Sequence, residues 1–72
     1  MPERPVYPEG DPRHHAARTR AMLNDLANHA REEGRRVAEP KAQALFETTA
    51  EVLRGLMMAY EHYEKRTEEA WR

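Results

Sequence analysis

The chain has 72 residues, no cysteine, and 12 Lys/Arg against 13 Asp/Glu, for a net charge of −1. That length holds one domain, whose core alone supplies only ~3–5 kcal/mol of net stability without a staple or association. Lack of cysteine excludes disulfides, thiolate zinc sites and a cysteine nucleophile, and the balanced charge offers no global field to draw nucleic acid or an anionic membrane.

Residues 1–10 contain Pro2, Pro5, Pro8 and Gly10, and proline fixes φ while removing a backbone donor. The segment reads as an extended, polyproline-like N-terminal arm, with Val6 and Tyr7 as the residues by which it would dock. Its start, Met1-Pro2-Glu3-Arg4-Pro5, has neither the basic opening nor the apolar run of a signal peptide. The longest apolar stretch, Gly55-Leu56-Met57-Met58-Ala59-Tyr60, falls far short of the ~20 residues of a membrane span. The chain is therefore expected to be cytoplasmic and to make no use of a membrane.

Asp11-Pro12 predicts a helix start, because aspartate caps free N–H groups and proline suits the first helical position. The first helix is expected over about 12–33, with Gly34 as a left-handed C-cap. Residues 34–39 form the connection. Pro40 opens a second helix expected over about 40–72, with no internal proline. A short connection favours antiparallel packing, so residues 11–72 are expected to form an all-α, antiparallel two-helix hairpin. In such a pair residue 62 would fall near residue 11, and residues 64–72 would project beyond the first helix.

The second helix carries two adjacent heptad rows. Leu45, Thr49, Val52, Leu56, Ala59 and Tyr63 form one; Phe46, Ala50, Leu53, Met57 and Tyr60 form the other. Together they span ~180°, wider than the ~100° stripe of an ordinary surface helix. Gln43, Glu47, Glu51, Arg54, Glu61, Lys65 and Arg72 hold the opposite side, while Met58 points away from both rows. The first helix has a lean stripe of Ala16, Thr19, Leu23, Leu26, Ala27 and Ala30, with Met22 at its edge. Small residues bury little area at ~25 cal/mol per Å², against an ordering cost of ~1–2 kcal/mol per residue. One partner helix covers one row, so the excess predicts a homodimer that closes a four-helix bundle. The row Phe46, Ala50, Leu53, Met57 and Tyr60, with Trp71 beyond it, is the expected interface. Trp71 is also a candidate anchor for another protein.

Four histidines are present, His14, His15, His29 and His62, but no H-x-x-x-H pair occurs on either helix. The expected register brings His62 within about a turn of His14 and His15. Imidazoles suit zinc, copper or nickel, so these three are the candidate metal ligands and a small metal-binding protein is one rival reading. No other cofactor is expected. Arg13, Arg18, Arg20, Arg31, Arg35 and Arg36 cluster mildly, which gives a nucleic-acid-associated protein as the second rival. Asp25, Glu32 and Glu33 interleave with these cations, against the unaccompanied charge that phosphate binding needs. No phosphate loop, nucleophile elbow or metalloprotease signature occurs, so no enzymatic activity is expected.

The run Pro40-Lys41-Ala42-Gln43-Ala44-Leu45-Phe46-Glu47-Thr48-Thr49-Ala50-Glu51-Val52-Leu53, with Tyr60-Glu61-His62-Tyr63-Glu64 and Ala70-Trp71-Arg72, resembles short bacterial helical proteins with no assigned function. The resemblance covers the C-terminal half. It implies a bacterial source and a helical fold, and it brings no site residues. The leading reading is a non-catalytic helical hairpin acting by oligomerisation and protein–protein contacts, as an accessory or assembly factor.

Overall fold

The computed structural model describes the backbone of residues 7–70 and the side chains of residues 7–66. Two helices, α1 (Pro12–Arg36) and α2 (Pro40–Ala70), pack against each other as an antiparallel hairpin. No strand occurs among the described residues.

The start of α1 follows the sequence expectation. Asp11 is extended and its Oδ1 accepts from the Arg13 backbone N–H at 2.8 Å, with Pro12 at the first helical position. The Arg13 guanidinium closes onto the same carboxylate, with Nη2 2.6 Å from Oδ2, and its other side lies 4.4 Å from the Tyr7 ring centroid. The Asp11 N–H donates to the Pro8 carbonyl at 2.9 Å. The end of the arm is thus stapled over the first turn of α1, and Tyr7 is its docking residue. Met1–Val6 lie outside the described residues.

The end of α1 corrects the sequence reading. Gly34 is not a C-cap; the helix runs through it to Arg36, and no glycine has a positive φ. Gly34 serves close packing instead. A Cβ there would sit 3.2 Å from Phe46 Cβ, inside ordinary contact distance. Continuation also puts Arg35 and Arg36 in the last turn, where cations oppose the negative end of the helix dipole. Only residues 37–39 connect the helices. Glu39 precedes Pro40 and is held out of the helical region by the proline ring. Gln43 ties the corner, donating from Nε2 to the Val37 carbonyl at 2.9 Å and from its backbone N–H to the Glu39 carbonyl at 3.0 Å.

The register also differs from the expected one. Arg20 reaches both Glu61 and Glu64, Arg31 lies 4.0 Å from Glu51, and Gly34 lies under Phe46. Residues near 62 therefore lie beside residue 20 rather than residue 11, about two and a half turns further along α1. The longer first helix and the tight corner cause the shift. As a result the C-terminal part of α2 runs alongside the start of α1 and does not project beyond it. Trp71 and Arg72 lie outside the described residues.

Among the described residues, those buried are Ala16, Ala27 and Ala30 from α1 with Ala50 and Leu53 from α2, and no large side chain is fully buried. The seam on α1 is Ala16, Arg20, Leu23, Ala27, Ala30 and Gly34, in steps of four and three. Small residues allow a close helix approach, but they leave a thin core.

Candidate interaction surface

Each helix of a hairpin has one flank on either side of the seam, and here the two flanks differ in chemistry. On one, a polar groove of about 520 Å³ is lined by Arg31, Arg35, Gln43, Glu47 and Glu51. On the other, an apolar groove of about 430 Å³ is lined by Pro12, His15, Thr19, Ala59 and Tyr63. The apolar flank continues along both helices. From Ala59 and Tyr63 the heptad row runs back through Leu56, Val52 and Leu45. From His15 and Thr19 the matching row on α1 runs forward to Met22 and Leu26.

This flank is where the large apolar residues lie open. Leu45, Val52 and Leu56 are 64, 58 and 45% exposed, and Met22 and Leu26 are 69 and 48% exposed. Tyr63 is exposed as well. Thr49, in the same row, donates its hydroxyl to the Leu45 carbonyl at 2.9 Å, and Thr19 does the same to His15. Their hydroxyls are satisfied within their own helices, so both threonines present a methyl-bearing surface without an unmet donor.

The expected interface residues are therefore placed differently. Phe46, Ala50, Leu53, Met57 and Tyr60 face α1. Ala50 and Leu53 are 1 and 8% exposed within the single hairpin, and the other three are half-buried. The physical reason is fit. The alanine seam of α1 demands close approach, and the row containing Ala50, with Phe46 over Gly34, permits it. The row left outside is Leu45, Val52, Leu56 and Tyr63. Met58 is also exposed, on the side away from both rows.

The expected metal site is not assembled. His14 and His15 meet each other edge-on with centroids 5.2 Å apart, but the shifted register carries His62 away from them. No group of three His, Asp or Glu side chains is placed to hold a metal among the described residues. His29 instead lies 3.7 Å from Glu33. Five of the six arginines of the expected basic cluster, and Arg54, are likewise matched with acids; Arg18 is exposed. Arg13 is paired with Asp11, Arg20 with Glu61 and Glu64, Arg31 and Arg54 with Glu51, and Arg35 and Arg36 with Glu32. A surface so interleaved gives no continuous track for phosphates.

One feature of the seam escaped the sequence reading. Arg20 Nε and Glu64 Oε1 are buried atoms 3.2 Å apart, facing each other without hydrogen-bond alignment. Both residues sit in the inner seams, Arg20 between Ala16 and Leu23, Glu64 one step after Tyr60. Opposite charges at seam positions of two helices are a readable pairing signal, and they fix the register at this end of the hairpin.

No known protein family matches this chain, and no curated protein or solved structure matches it either. No helix among the described residues is long and apolar enough to cross a membrane.

Proposed function

We propose that this chain is a non-catalytic, cytoplasmic helical module that acts by self-association and protein–protein contacts, as an accessory or assembly factor. The observation that carries the reading is the open apolar flank of the hairpin, Met22 and Leu26 with Leu45, Val52, Leu56 and Tyr63. The hairpin's own core supports it: among the described residues, four of the five that are buried are alanines. Alanine burial removes little apolar area, and at ~25 cal/mol per Å² it does not offset the ordering of some sixty residues at ~1–2 kcal/mol each. The cover must then be present whenever the chain is folded, and a second copy meets that condition without a separate partner. Two hairpins stacked on this flank make a four-helix bundle.

The outward row spans residues 45–63, roughly 27 Å at 1.5 Å per residue. With the ~20 Å width of two helices side by side, the patch is on the order of 550 Å² per copy and 1,100 Å² in total, which clears the ~1,000 Å² that a specific interface needs. The α2 half of the patch is uncharged, and on the α1 half His15 lies at one end and the His29–Glu33 pair at the other, so no charge of one sign builds up on a face that meets itself.

Sedimentation equilibrium at micromolar concentration tests the reading. The wild type is expected as a dimer, Leu56→Glu as a monomer of reduced helicity, and Arg54→Glu, on the opposite side of α2, as a dimer like the wild type. A well-folded wild-type monomer overturns it.

A further inference from the structure

Two hairpins stacked on one flank have two symmetric arrangements, α1 over the partner's α2 or α2 over the partner's α2. We propose the second: the outward rows of two α2 helices pack antiparallel about a two-fold axis at the level of Arg54 and Gly55. This rests on the self-association reading above and adds which helix meets which.

The two flanking rows are unequal. The row on α2 offers Leu45, Thr49, Val52, Leu56, Ala59 and Tyr63, with no charge among them. The row on α1 offers only Met22 and Leu26 as large apolar residues, with His15 before them and His29 and Glu33 after. Laying α2 on the partner's α1 would place Leu45 and Tyr63 against the polar ends of that row. Laying α2 on α2 buries every apolar member of the richer row. Reversed on itself, that row superposes layer for layer: Leu45 meets Tyr63 of the second copy, Thr49 meets Ala59, and Val52 meets Leu56. Large residues share the outer layer and small ones the next, so the layers fill evenly. Gly55 lies at the edge of this row, level with the axis, where added side-chain atoms would meet nothing within 4 Å in the single hairpin.

The chain has no cysteine, so one introduced thiol reports the arrangement cleanly. In the Gly55→Cys protein, α2-on-α2 packing brings the two thiols to the same edge, roughly one interhelical distance apart (~8–10 Å). In the α1-on-α2 arrangement the two α2 helices are diagonal and these edges point outward, about twice as far apart. A thiol-to-thiol linker spanning about 9 Å is expected to convert Gly55→Cys to a covalent dimer that keeps the helicity and sedimentation of the wild-type dimer. A dimer that the linker leaves uncoupled overturns the α2-on-α2 arrangement while self-association stands. A monomeric wild type overturns both.

Discussion

The two helical glycines are chemically identical and physically opposite. Glycine in a helix interior is less stable than alanine by about 1 kcal/mol because it loses more backbone freedom on folding. At Gly55 a methyl group would enter open space, so Gly55→Ala should recover that amount and raise the melting temperature by roughly 4–8 °C. At Gly34 the same methyl would lie 3.2 Å from Phe46 Cβ, an atom fixed to the α2 backbone. Relief requires the helices to part, so Gly34→Ala should show no gain or a net loss. Parallel urea melts of the two variants check the contrast, and equal gains would show that the corner is loosely packed. Asp11 supplies a pH prediction. The Arg13 side chain, then the Arg13 backbone N–H, hold its carboxyl below the ordinary value of 3.8. A depressed folded-state pKa means that the unfolded chain takes up the proton first. Its stabilising effect is therefore full above 3.8 and is lost as pH falls through the lower folded-state value. Asp11→Asn keeps a capping oxygen but loses this dependence, so the stability gap between wild type and variant should be wider at pH 6 than at pH 2.5.

At the scale of the elements, the hairpin is held by a thin alanine seam with one ion pair set into it. Arg20 is 18% exposed and Glu64 13%, whereas Glu61, which also reaches Arg20, is 55% exposed and contributes little. Removing one partner leaves the other charge poorly solvated, at a cost of about 1–3 kcal/mol. Replacing both with apolar residues removes the unmet charge. Arg20→Met and Glu64→Leu should each destabilise, and the double variant should be more stable than the sum of the two predicts, with a coupling of about 1 kcal/mol. Additive urea midpoints would show that the pair sets no register. Much of this element pairing was legible. The capped start of α1, the prolines that open both helices and the two heptad rows of α2 follow directly from residue type and spacing. The assignment of rows to faces was not legible from hydrophobicity, because both rows are apolar. It depended on size: Ala50 and Gly34 fit a close seam, and Val52 and Leu45 do not. The end of α1 was misread because a glycine near a helix end serves equally as a left-handed cap or as a close-packing site, and only the position of Phe46 decides. That misreading moved the register, and with it His62 away from His14 and His15. Leu53 changes meaning for the same reason. Leu53→Glu would bury a charge inside the hairpin and unfold it, whereas Leu56→Glu addresses the outer surface.

The whole molecule is elongated rather than spherical. Its radius of gyration is 15.4 Å and its extents are 50 × 24 × 20 Å, against about 11 Å for a compact domain of this length. A pair of helices with nothing packed on either flank leaves most apolar side chains within reach of water, whatever the quality of its seam. Stacking a second hairpin on the apolar flank turns that geometry into a four-helix cross-section with an interior. Folding is then linked to association, and mass action sets the apparent stability. Each tenfold rise in concentration favours the folded dimer by about 1.4 kcal/mol. Over a hundredfold range of concentration the melting temperature should climb by several degrees. The same climb should appear in Arg54→Glu, which leaves the apolar flank intact. Circular dichroism melts across that range decide the matter: a melting temperature indifferent to concentration would mean that the single hairpin, with its alanine core, stands unaided.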